Sequence, residues 1–453
     1  MTNTFNINLN NLAVQNGTFY VAVFGCQMNV YDGDRIRDLL QASGYTEVSE
    51  PNLANIVIFV TCAVRAKAEN RVFKQIETWR HQKIIDENTI IALGGCVGSE
   101  LGQKILDLNN HVHIVFGPRT VHRLPSLLSQ YLGDHKRIVD VEADSLDKFD
   151  ALPEVGTRGI SEFVTIMEGC SNKCTYCIVP YTRGEEISRP LEDILKECRK
   201  FIANGAKEIH LLGQNVNSYR GEDAEGNICD FATLLYEIAA IEGVKRIRFT
   251  TSNPMDFSDD IIKAIEELPV IADQIHVPIQ SGSNRILELM HRRYTVEEYK
   301  ILVQKIRKAR PTALISSDFI VGFPGETLED FKQTVAAVKE IGFDQSFSFI
   351  YSPRPGTPAA SMPDPIDFAT KQKWLYELQE ELEKCTSRFG QELIGSTLEV
   401  LVEGISRKDQ NELKARAANG RITVFKGDSS LIGEMVKVKV TGVASHTLKA
   451  ERI

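Results

Sequence analysis

Hydrophobic segments and amphipathic stretches alternate along most of this chain. In its first third, short apolar runs typical of buried strands occur at 18–25, 55–61 and 89–94. A helical stretch follows each of the first two runs, and the longer one covers about 66–86. Alternating strands and helices fold into a parallel sheet that is covered by helices on both faces. We therefore predict a doubly wound α/β domain over 18–132.

A charged segment without an apolar period covers 133–155, and we interpret it as a linker. The alternation resumes over 156–390 and predicts an open or partial (β/α) barrel, whose chemistry lies at the carboxyl ends of its strands. The strands predicted for this barrel are 162–167, 207–212, 246–250, 274–278, 314–321 and 346–350. Its predicted helices are about 190–204, 230–242, 258–267, 295–309 and 327–341, with a long final helix at 367–389.

The pattern changes again after residue 390. Five short alternating segments within 391–453 predict a small β-barrel of the size of an OB fold. This part of the chain is slightly basic, and several of its cations are predicted to gather near one end of the barrel: Lys408, Lys414, Arg416 and Arg421. Such a surface either binds the RNA backbone or is an ordinary solvated face, and the charges alone leave both interpretations open.

Composition narrows the class of protein. The chain has 453 residues, of which 43% are hydrophobic and 25% charged, as in ordinary globular proteins. Its net charge of −9 argues against a uniformly basic nucleic-acid-binding surface. No apolar run approaches the roughly 18 residues of a membrane helix, and the first basic residue is Arg35, which argues against a secretory signal. We expect a cytoplasmic protein, in which its nine cysteines are packing residues, ligands or catalysts and not disulfides.

Three of the cysteines form a CxxxCxxC motif directly after the first predicted barrel strand: Cys170, Cys174 and Cys177. Structural zinc sites and ferredoxin clusters usually take four protein ligands. Three thiolates on a four-iron cluster leave one iron open, and an open iron can bind a substrate or cofactor. The spacing therefore predicts a catalytic cluster more than a chance or structural arrangement.

A second set of cysteines is dispersed: Cys26, Cys62 and Cys96 each follow an apolar strand-like run. Ligands of doubly wound sheets bind beyond the carboxyl ends of the strands, so three loops at one edge can bring these thiolates together. The alternative is three buried cysteines near strand ends. The remaining cysteines suit helix packing or have no assigned role, namely Cys198, Cys385 and Cys229.

The CxxxCxxC loop, with Tyr176 before its last cysteine, resembles that of the radical S-adenosylmethionine enzymes. Strings similar to the N-terminal domain of the methylthiotransferases of that group are 25–29, 61–65 and 95–98. Strings similar to their central domain are 168–170, 180–184, 213–219, 280–283, 292–295 and 351–357. The final barrel resembles the RNA-binding TRAM module. The resemblance covers nearly the whole chain in the same domain order and is strongest to the MiaB-type tRNA enzymes.

The resemblance implies two 4Fe–4S clusters, both bound by cysteines already described. Cys170, Cys174 and Cys177 would hold the cluster that binds and cleaves S-adenosylmethionine, producing a 5′-deoxyadenosyl radical that takes hydrogen from C2 of the substrate adenine. The other three cysteines would hold an auxiliary cluster that supplies sulfur, methylated by a second S-adenosylmethionine. Residues implied to contact S-adenosylmethionine are Tyr176, Gln214, Asn215, Gln280, Ser281, Arg293 and Asp318, although loop hydrogen bonding or helix capping is the alternative for each.

The implied reaction is methylthiolation of N6-dimethylallyladenosine at position 37 of tRNA. The implied partners are the tRNA anticodon stem-loop, a low-potential electron donor and a sulfur source, and we expect a monomer. Alternative substrates are a threonylcarbamoyl-adenosine or an aspartate of a ribosomal protein. A different class is an RNA-binding iron–sulfur sensor without catalysis. Outside these motifs, the loop at 322–327 either presents backbone N–H groups to an anion or is a turn that caps the next helix.

Overall fold

The computed structural model describes residues 17–63, 66–142, 152–154 and 156–453, without the side chains of 66–70. The chain divides into two compact units, each described by itself below. The first unit contains residues up to 156 together with 169–171 and 178–187, and the second contains the remainder.

The first unit is built on one parallel sheet. Its strands are β1 (Thr18–Phe24), β2 (Thr46–Glu47), β3 (Ile56–Thr61), β4 (Ile90–Gly95), β5 (Ile114–Phe116) and β6 (Ile138–Asp140). They lie in the order β2-β1-β3-β4-β5-β6, and every neighbouring pair is parallel. Its helices are α1 (Gln27–Ala42), α2 (Ala66–His81), α3 (Cys96–Leu101), α4 (Gln103–Leu108), α5 (Leu124–Asp134) and α6 (Val179–Arg183).

Both faces of this sheet are covered by apolar side chains. All residues of β3 and β4 are buried, as expected for central strands of a sheet with helices on each side. One core layer contains Phe19, Ile36 and Leu40, and the opposite layer contains Phe59 and Val72. The strand order, which reverses direction between β1 and β3, is that of a doubly wound fold and confirms the predicted fold class.

The parallel sheet includes a strand from the segment that we predicted to be a linker. β6 lies inside 133–155 and pairs with β5 along three residues, so the linker prediction is wrong for this strand. A three-residue edge strand is too short to show an apolar period, which explains why its sequence resembles a loop. Residues 143–151 and 155 of the predicted linker lie outside the described residues.

Parallel strands and helices alternate in the middle of the chain. The strands are β7 (Ser161–Thr165), β8 (Met167–Glu168), β9 (Ile187–Ser188), β10 (Glu208–Leu212), β11 (Arg220–Glu222), β12 (Ile228–Asp230), β13 (Arg246–Phe249), β14 (Gln274–His276), β15 (Leu314–Ser316), β16 (Asp318–Val321) and β17 (Phe347–Ile350). The helices are α7 (Leu191–Ala203), α8 (Phe231–Ala239), α9 (Asp259–Glu267), α10 (Asn284–Leu289), α11 (Val296–Ala309), α12 (Leu328–Ile341) and α13 (Phe368–Glu392).

Seven of these strands form the predicted open barrel in three parallel groups, while β11 and β12 form a separate antiparallel pair. β10 lies between β13 and β7, β14 pairs with β15, and β16 pairs with β17. The single strand predicted at 314–321 is interrupted at Ser317, where the chain changes partners. Ser317 Oγ accepts a hydrogen bond from Ile279 N at 2.9 Å, and Ser317 N donates to Ser346 Oγ at 2.9 Å. Serine hydroxyls therefore take two of the hydrogen bonds at this position, while the Ser317 carbonyl oxygen still accepts from Phe347 N at 2.9 Å.

The chain after residue 390 forms the predicted closed barrel. Its strands are β18 (Thr397–Ile405), β19 (Glu412–Ala417), β20 (Ile422–Lys426), β21 (Met435–Ala444) and β22 (Thr447–Arg452), in the order β18-β19-β20-β22-β21. Alternate side chains point inward and build a small core that includes Val400, Leu413 and Phe425.

The turn between β19 and β20 packs against the amino ends of the central strands. Arg246 Nη1 donates to the carbonyl oxygen of Arg416 at 3.0 Å, and Arg248 Nη2 donates to that of Ala417 at 2.8 Å. Both arginines lie on β13, and they are held by Glu208 at the start of β10. The barrel is therefore attached at the amino ends of these strands. Catalysis in such folds occurs at the other end, beyond the carboxyl ends of the strands. Among the described residues, no helix is long and apolar enough to cross a membrane.

Candidate active site

The structure brings the three dispersed cysteines to one edge of the first sheet. Cys26 follows β1, Cys62 follows β3, and Cys96 begins α3 directly after β4. These three strands are neighbours and end in register. A hydrogen bond from the Cys62 thiol lowers the pKa of Cys26 to about 6, so Cys26 is largely a thiolate at neutral pH. The thiolate is the form of cysteine that binds metal.

Glycines allow this close approach. Gly95 precedes Cys96 and has a φ of +91°, a left-handed conformation that other residues rarely adopt. A Cβ atom on Gly95 would collide with the backbone oxygen of Thr61 on the neighbouring strand. A Cβ atom on Gly25 would likewise collide with Cys62. The glycines therefore let the cysteine-bearing loops lie against one another.

Asn29 holds the loop of Cys26 against β3. Its Oδ1 accepts a hydrogen bond from Cys26 N at 3.3 Å and lies 3.1 Å from Cys26 Sγ. Its Nδ2 donates to the carbonyl oxygen of Thr61 at 3.0 Å, and the side chain is fully buried. One amide side chain thus connects two of the three cysteine loops.

A buried arginine lies beside the third cysteine. Arg183 Nε donates to Cys96 Sγ at 3.3 Å, and Arg183 Nη2 lies 2.7 Å from Asp32 Oδ2. Burial raises the pKa of Cys96, and the positive charge of Arg183 opposes that rise. Arg183 therefore favours the thiolate that a metal requires.

The CxxxCxxC cysteines lie in the irregular part of the chain between β8 and α6. Cys170 N donates to the carbonyl oxygen of Gly184 at 3.1 Å in the first unit. In the second unit, Cys177 N donates to the carbonyl oxygen of Cys174 at 3.1 Å, which places these two residues in one tight turn. Arg292 Nη1 lies 3.5 Å from Cys174 Sγ, so this thiol also has a cationic hydrogen-bond donor.

The donor sets fit iron–sulfur clusters better than single metal ions. Among the described residues, no group of three or more Cys, His, Asp or Glu side chains converges on a point that could hold one ion. The ligands of a four-iron cluster bind different iron atoms and stand farther apart than the ligands of one ion. Three thiols at one sheet edge, beside cationic and amide donors, suit such a cluster because its ligands must be thiolates.

Two of the residues expected to contact S-adenosylmethionine follow the carboxyl end of β10. Gln214 is half-buried, and its backbone N lies 3.3 Å from the sulfur of Met167. Asn215 is buried, and its Nδ2 donates to Asp256 Oδ2 at 2.7 Å. Their position at a carboxyl strand end agrees with a ligand site, and their contacts to a ligand remain a prediction.

Another pair is joined through the backbone at the carboxyl end of β14. Gln280 N donates to the carbonyl oxygen of Asp318 at 3.0 Å, and Gln280 has a positive φ of 71°. The neighbouring Ser281 is fully buried, and its hydroxyl lies 3.3 Å from Thr334 Oγ1. Local hydrogen bonding therefore uses the Ser281 side chain, which favours the structural alternative for that residue.

Tyr176 and Arg293 differ in their surroundings. Tyr176 packs edge-on against Phe323, with ring centroids 6.5 Å apart. Burial raises the pKa of Tyr176 well above its usual value, so its hydroxyl stays neutral. Arg293 is exposed, and it is the preceding residue, Arg292, that contacts Cys174.

The loop at 322–327 binds its own carboxylate. Glu326 Oε2 accepts hydrogen bonds from the backbone N atoms of Gly322 and Phe323, and Thr327 caps α12. Burial raises the pKa of Glu326 to about 7. Of the two interpretations of this loop, the turn that caps a helix is confirmed, since a side chain of the same loop occupies the backbone donors.

Most of the barrel cations predicted to gather near one end form ion pairs. Arg421 is fully buried against Asp344, and Lys414 and Arg416 both bind Glu403. Arg421 therefore belongs neither to an RNA-binding surface nor to a solvated face, because the turn that carries it is the one attached to the central domain. Exposed cations lie instead on the outer face of β21 and β22, namely Lys437, Lys439 and Lys449.

Models of known families match three successive parts of the chain. The radical SAM superfamily matches residues 164–338, the uncharacterized protein family UPF0004 matches 18–117, and the TRAM domain matches 391–453. A solved radical S-adenosylmethionine methyltransferase, TsrM from Kitasatospora setae, has a TM-score of 0.54 at 14% identity, with 76% of each chain covered. The cobalamin-dependent radical enzyme OxsB has a TM-score of 0.51 at 14% identity over 82% of this chain and 56% of its own. At such low identity these two likenesses concern the fold alone.

These matches and the two cysteine sets define a radical S-adenosylmethionine enzyme with a TRAM domain. A tRNA-2-methylthio-N(6)-dimethylallyladenosine synthase of Vibrio vulnificus (strain YJ016) is 47% identical over 432 residues, which are 95% of this chain and 91% of the relative. The enzyme of that name from Buchnera aphidicola is 47% identical over 96% of this chain and 98% of the relative. The chain belongs to the family of tRNA-2-methylthio-N(6)-dimethylallyladenosine synthases. The cofactors of this family are S-adenosylmethionine and two 4Fe–4S clusters.

Four residues beside the cysteines were not predicted as site residues: Asn29, Asp32, Arg183 and Arg292. Three of them, Asn29, Arg183 and Arg292, lie in the sequence strings that resemble the family. The resemblance marked these positions but did not indicate that their side chains contact the cysteines. Their roles depend on contacts between segments far apart in sequence, which spacing alone does not reveal.

Proposed function

We propose that this chain methylthiolates C2 of N6-dimethylallyladenosine at position 37 of tRNA, and that it uses two S-adenosylmethionine molecules per product. The observation that carries the proposal is the presence of two separate three-cysteine sets, each able to hold a cluster with one open iron. An electron carrier needs no open iron, and a single radical cleavage needs only one such cluster. A second set therefore supports a reaction in which a second group, sulfur, is delivered.

Each cysteine set has its own task in this proposal. Cys170, Cys174 and Cys177 would hold the cluster at which S-adenosylmethionine is cleaved, and the three cysteines at the sheet edge would hold the auxiliary cluster. The bound cofactors supply the radical, the sulfur and the methyl group. The protein places Arg183 beside Cys96 and Arg292 beside Cys174, and it holds the loops through Asn29 and the glycines.

The barrel would bind the tRNA anticodon stem-loop through its exposed lysines on β21 and β22. Chemistry at C2 requires that the base leave its stack, which costs a few kcal/mol. Contacts to the phosphate backbone offset that cost without reading sequence. We further propose that the enzyme is a cytoplasmic monomer that receives electrons from a low-potential donor and sulfur from a separate source.

Two alanine variants test the division of tasks. In anaerobically reconstituted enzyme, Cys174→Ala should abolish cleavage of S-adenosylmethionine and all product. Cys62→Ala should still form 5′-deoxyadenosine but no methylthio product on prenylated anticodon stem-loop RNA. Cys229→Ala, on β12 and in neither cysteine set, is the matched control and should keep full activity. Methylthio product from Cys62→Ala would contradict the auxiliary role.

The substrate is tested by mass spectrometry of tRNA nucleosides from cells that lack the gene. The methylthio form of dimethylallyladenosine should disappear and its unmodified precursor should accumulate. Loss of a methylthio group only from a threonylcarbamoyl nucleoside, or only from a ribosomal protein, would contradict the proposed substrate. Reconstituted enzyme that binds iron and RNA but forms no 5′-deoxyadenosine would indicate a sensor.

A further inference from the structure

Arg183 belongs to the segment that follows Cys177 in sequence, yet its side chain contacts a cysteine of the other set. The segment forms α6, which packs against α3 within the first unit. Arg183 Nε donates to Cys96 Sγ at 3.3 Å. The chain that leaves the CxxxCxxC motif therefore supplies a hydrogen-bond donor to the auxiliary site.

The geometry of this arginine is fixed by a second charge. The side chains of Arg183 and Asp32 are 3% and 1% exposed, and their nearest nitrogen and oxygen atoms are 2.7 Å apart. Asp32 lies on α1, the helix that begins directly after Cys26. A buried guanidinium is costly unless it is paired, so Asp32 stabilises the position from which Arg183 reaches the sulfur.

We propose that Arg183 is a positioning residue of the auxiliary cluster and that, together with Asp32, it sets the reduction potential of that cluster. The inference rests on the proposed function, since it requires a cluster at Cys26, Cys62 and Cys96. Hydrogen bonds to ligand sulfurs and nearby charges are among the factors that set cluster potentials. A cationic donor stabilises the more negative reduced form and raises the potential. The Asp32 carboxylate weakens that effect.

The two residues therefore act with opposite signs. Loss of the Arg183 charge and hydrogen bond should shift the potential to more negative values. Loss of the Asp32 charge removes a negative charge beside Arg183 and should shift the potential to more positive values. A merely structural pair predicts something different, because breaking it from either side would loosen the same site in the same way.

The test uses the full chain carrying Cys170→Ala, Cys174→Ala and Cys177→Ala, which should keep only the auxiliary cluster, about four irons per chain. Redox titration followed by electron paramagnetic resonance gives the midpoint potential. To this parent we add Arg183→Gln, Arg183→Lys or Asp32→Asn, with Tyr181→Phe as an exposed control on α6. We expect a negative shift for Arg183→Gln, a smaller negative shift for Arg183→Lys, a positive shift for Asp32→Asn and no shift for Tyr181→Phe.

Equal potentials in all variants, or shifts of one sign for both partners, would overturn the inference. If Arg183→Gln fails to bind iron, Arg183→Lys and Asp32→Asn still test the inference, because both substitutions keep most of the packing. Shifts of the midpoint potential in opposite directions would support the inference. A parent protein that binds no iron would overturn the proposed auxiliary cluster itself. That outcome differs from normal iron binding with an unchanged potential, which would overturn only the role of Arg183.

Discussion

Arg421 Nη2 lies 2.6 Å from Asp344 Oδ1, and these side chains are 0% and 3% exposed. Arg421 belongs to the turn between β19 and β20, and Asp344 precedes β17 of the central domain. Arg421 Nη2 also donates to the carbonyl oxygen of Thr386 on α13 at 2.7 Å. An arginine that was a candidate for RNA binding by its charge therefore fastens the barrel to the central domain.

Breaking this ion pair should destabilise the protein strongly. Arg421→Met leaves Asp344 buried without its partner, which typically costs about 3–5 kcal/mol. Burial raises the pKa of Asp344 even though Arg421 opposes the rise, so desolvation outweighs attraction in this pair. The double variant Arg421→Met with Asp344→Leu should therefore recover most of the lost stability, measured by urea denaturation.

The control for that experiment is Lys437→Met, an exposed cation of the same barrel. A surface change of this kind should alter stability by no more than about 0.5 kcal/mol. A loss of stability below about 1 kcal/mol for Arg421→Met would show that the pair does not hold the barrel in place.

Acid should weaken the same attachment through Glu208. Burial raises the pKa of Glu208, but Arg248 and Arg246 outweigh burial and lower it from 4.5 to about 2. Because the folded-state pKa is the lower one, the ionised carboxylate contributes full stability above about pH 4.5, and this contribution is lost as the pH falls toward 2. Denaturation between pH 5 and 3 should show this loss in the parent protein.

Glu208→Gln provides the comparison, since it removes the titrating group and keeps the size of the side chain. The variant should be less stable at pH 7, and its difference from the parent should shrink as the pH is lowered. A difference that stays constant from pH 7 to pH 3 would mean that Glu208 does not carry the acid sensitivity.

Gly95→Ala should impair the auxiliary site selectively. The added Cβ atom would collide with the backbone of Thr61. The alanine would also have to adopt the positive φ of Gly95, which is strained for any residue with a Cβ atom. We expect loss of most of the iron bound by Cys26, Cys62 and Cys96, with cleavage of S-adenosylmethionine retained. The measurements are iron content and formation of 5′-deoxyadenosine.

Gly44→Ala separates the two causes. Gly44 has a similar φ of +89°, but nothing lies within 4 Å of the added Cβ. This variant should lose roughly 1 kcal/mol of stability from backbone strain and keep its iron. If both variants lose iron equally, general destabilisation and not the collision with Thr61 explains the result.

Exposed lysines of the barrel should carry a salt-dependent part of tRNA binding. Replacing Lys437, Lys439 and Lys449 by Gln should reduce the slope of log K against log salt by about 0.9 for each lost phosphate contact. Lys414→Gln is the matched control, because Lys414 is already bound to Glu403 at 2.6 Å. Filter binding or fluorescence anisotropy across salt concentrations measures the slope. A larger effect from Lys414→Gln than from the triple variant would place the RNA on a different face.

The elements of the fold followed closely from periodicity. β1, β3 and β4 and the helices beside them were predicted because apolar runs and amphipathic stretches reflect burial directly. The departures are local: β6 is too short to show a period, and the strand predicted at 314–321 changes partners at Ser317, where serine hydroxyls take part of the hydrogen bonding.

The order of elements, the two cysteine sets and the family can be inferred from the linear chain, because these depend on residue types at fixed spacings. The assignment of charged side chains to sites depends on the three-dimensional fold. Arg183 reaches Cys96, and Arg421 is buried against Asp344, although neither pair is close in sequence. The physical reason is that a charge acts through its distance and its desolvation, and both are set by packing between segments that the linear pattern does not relate.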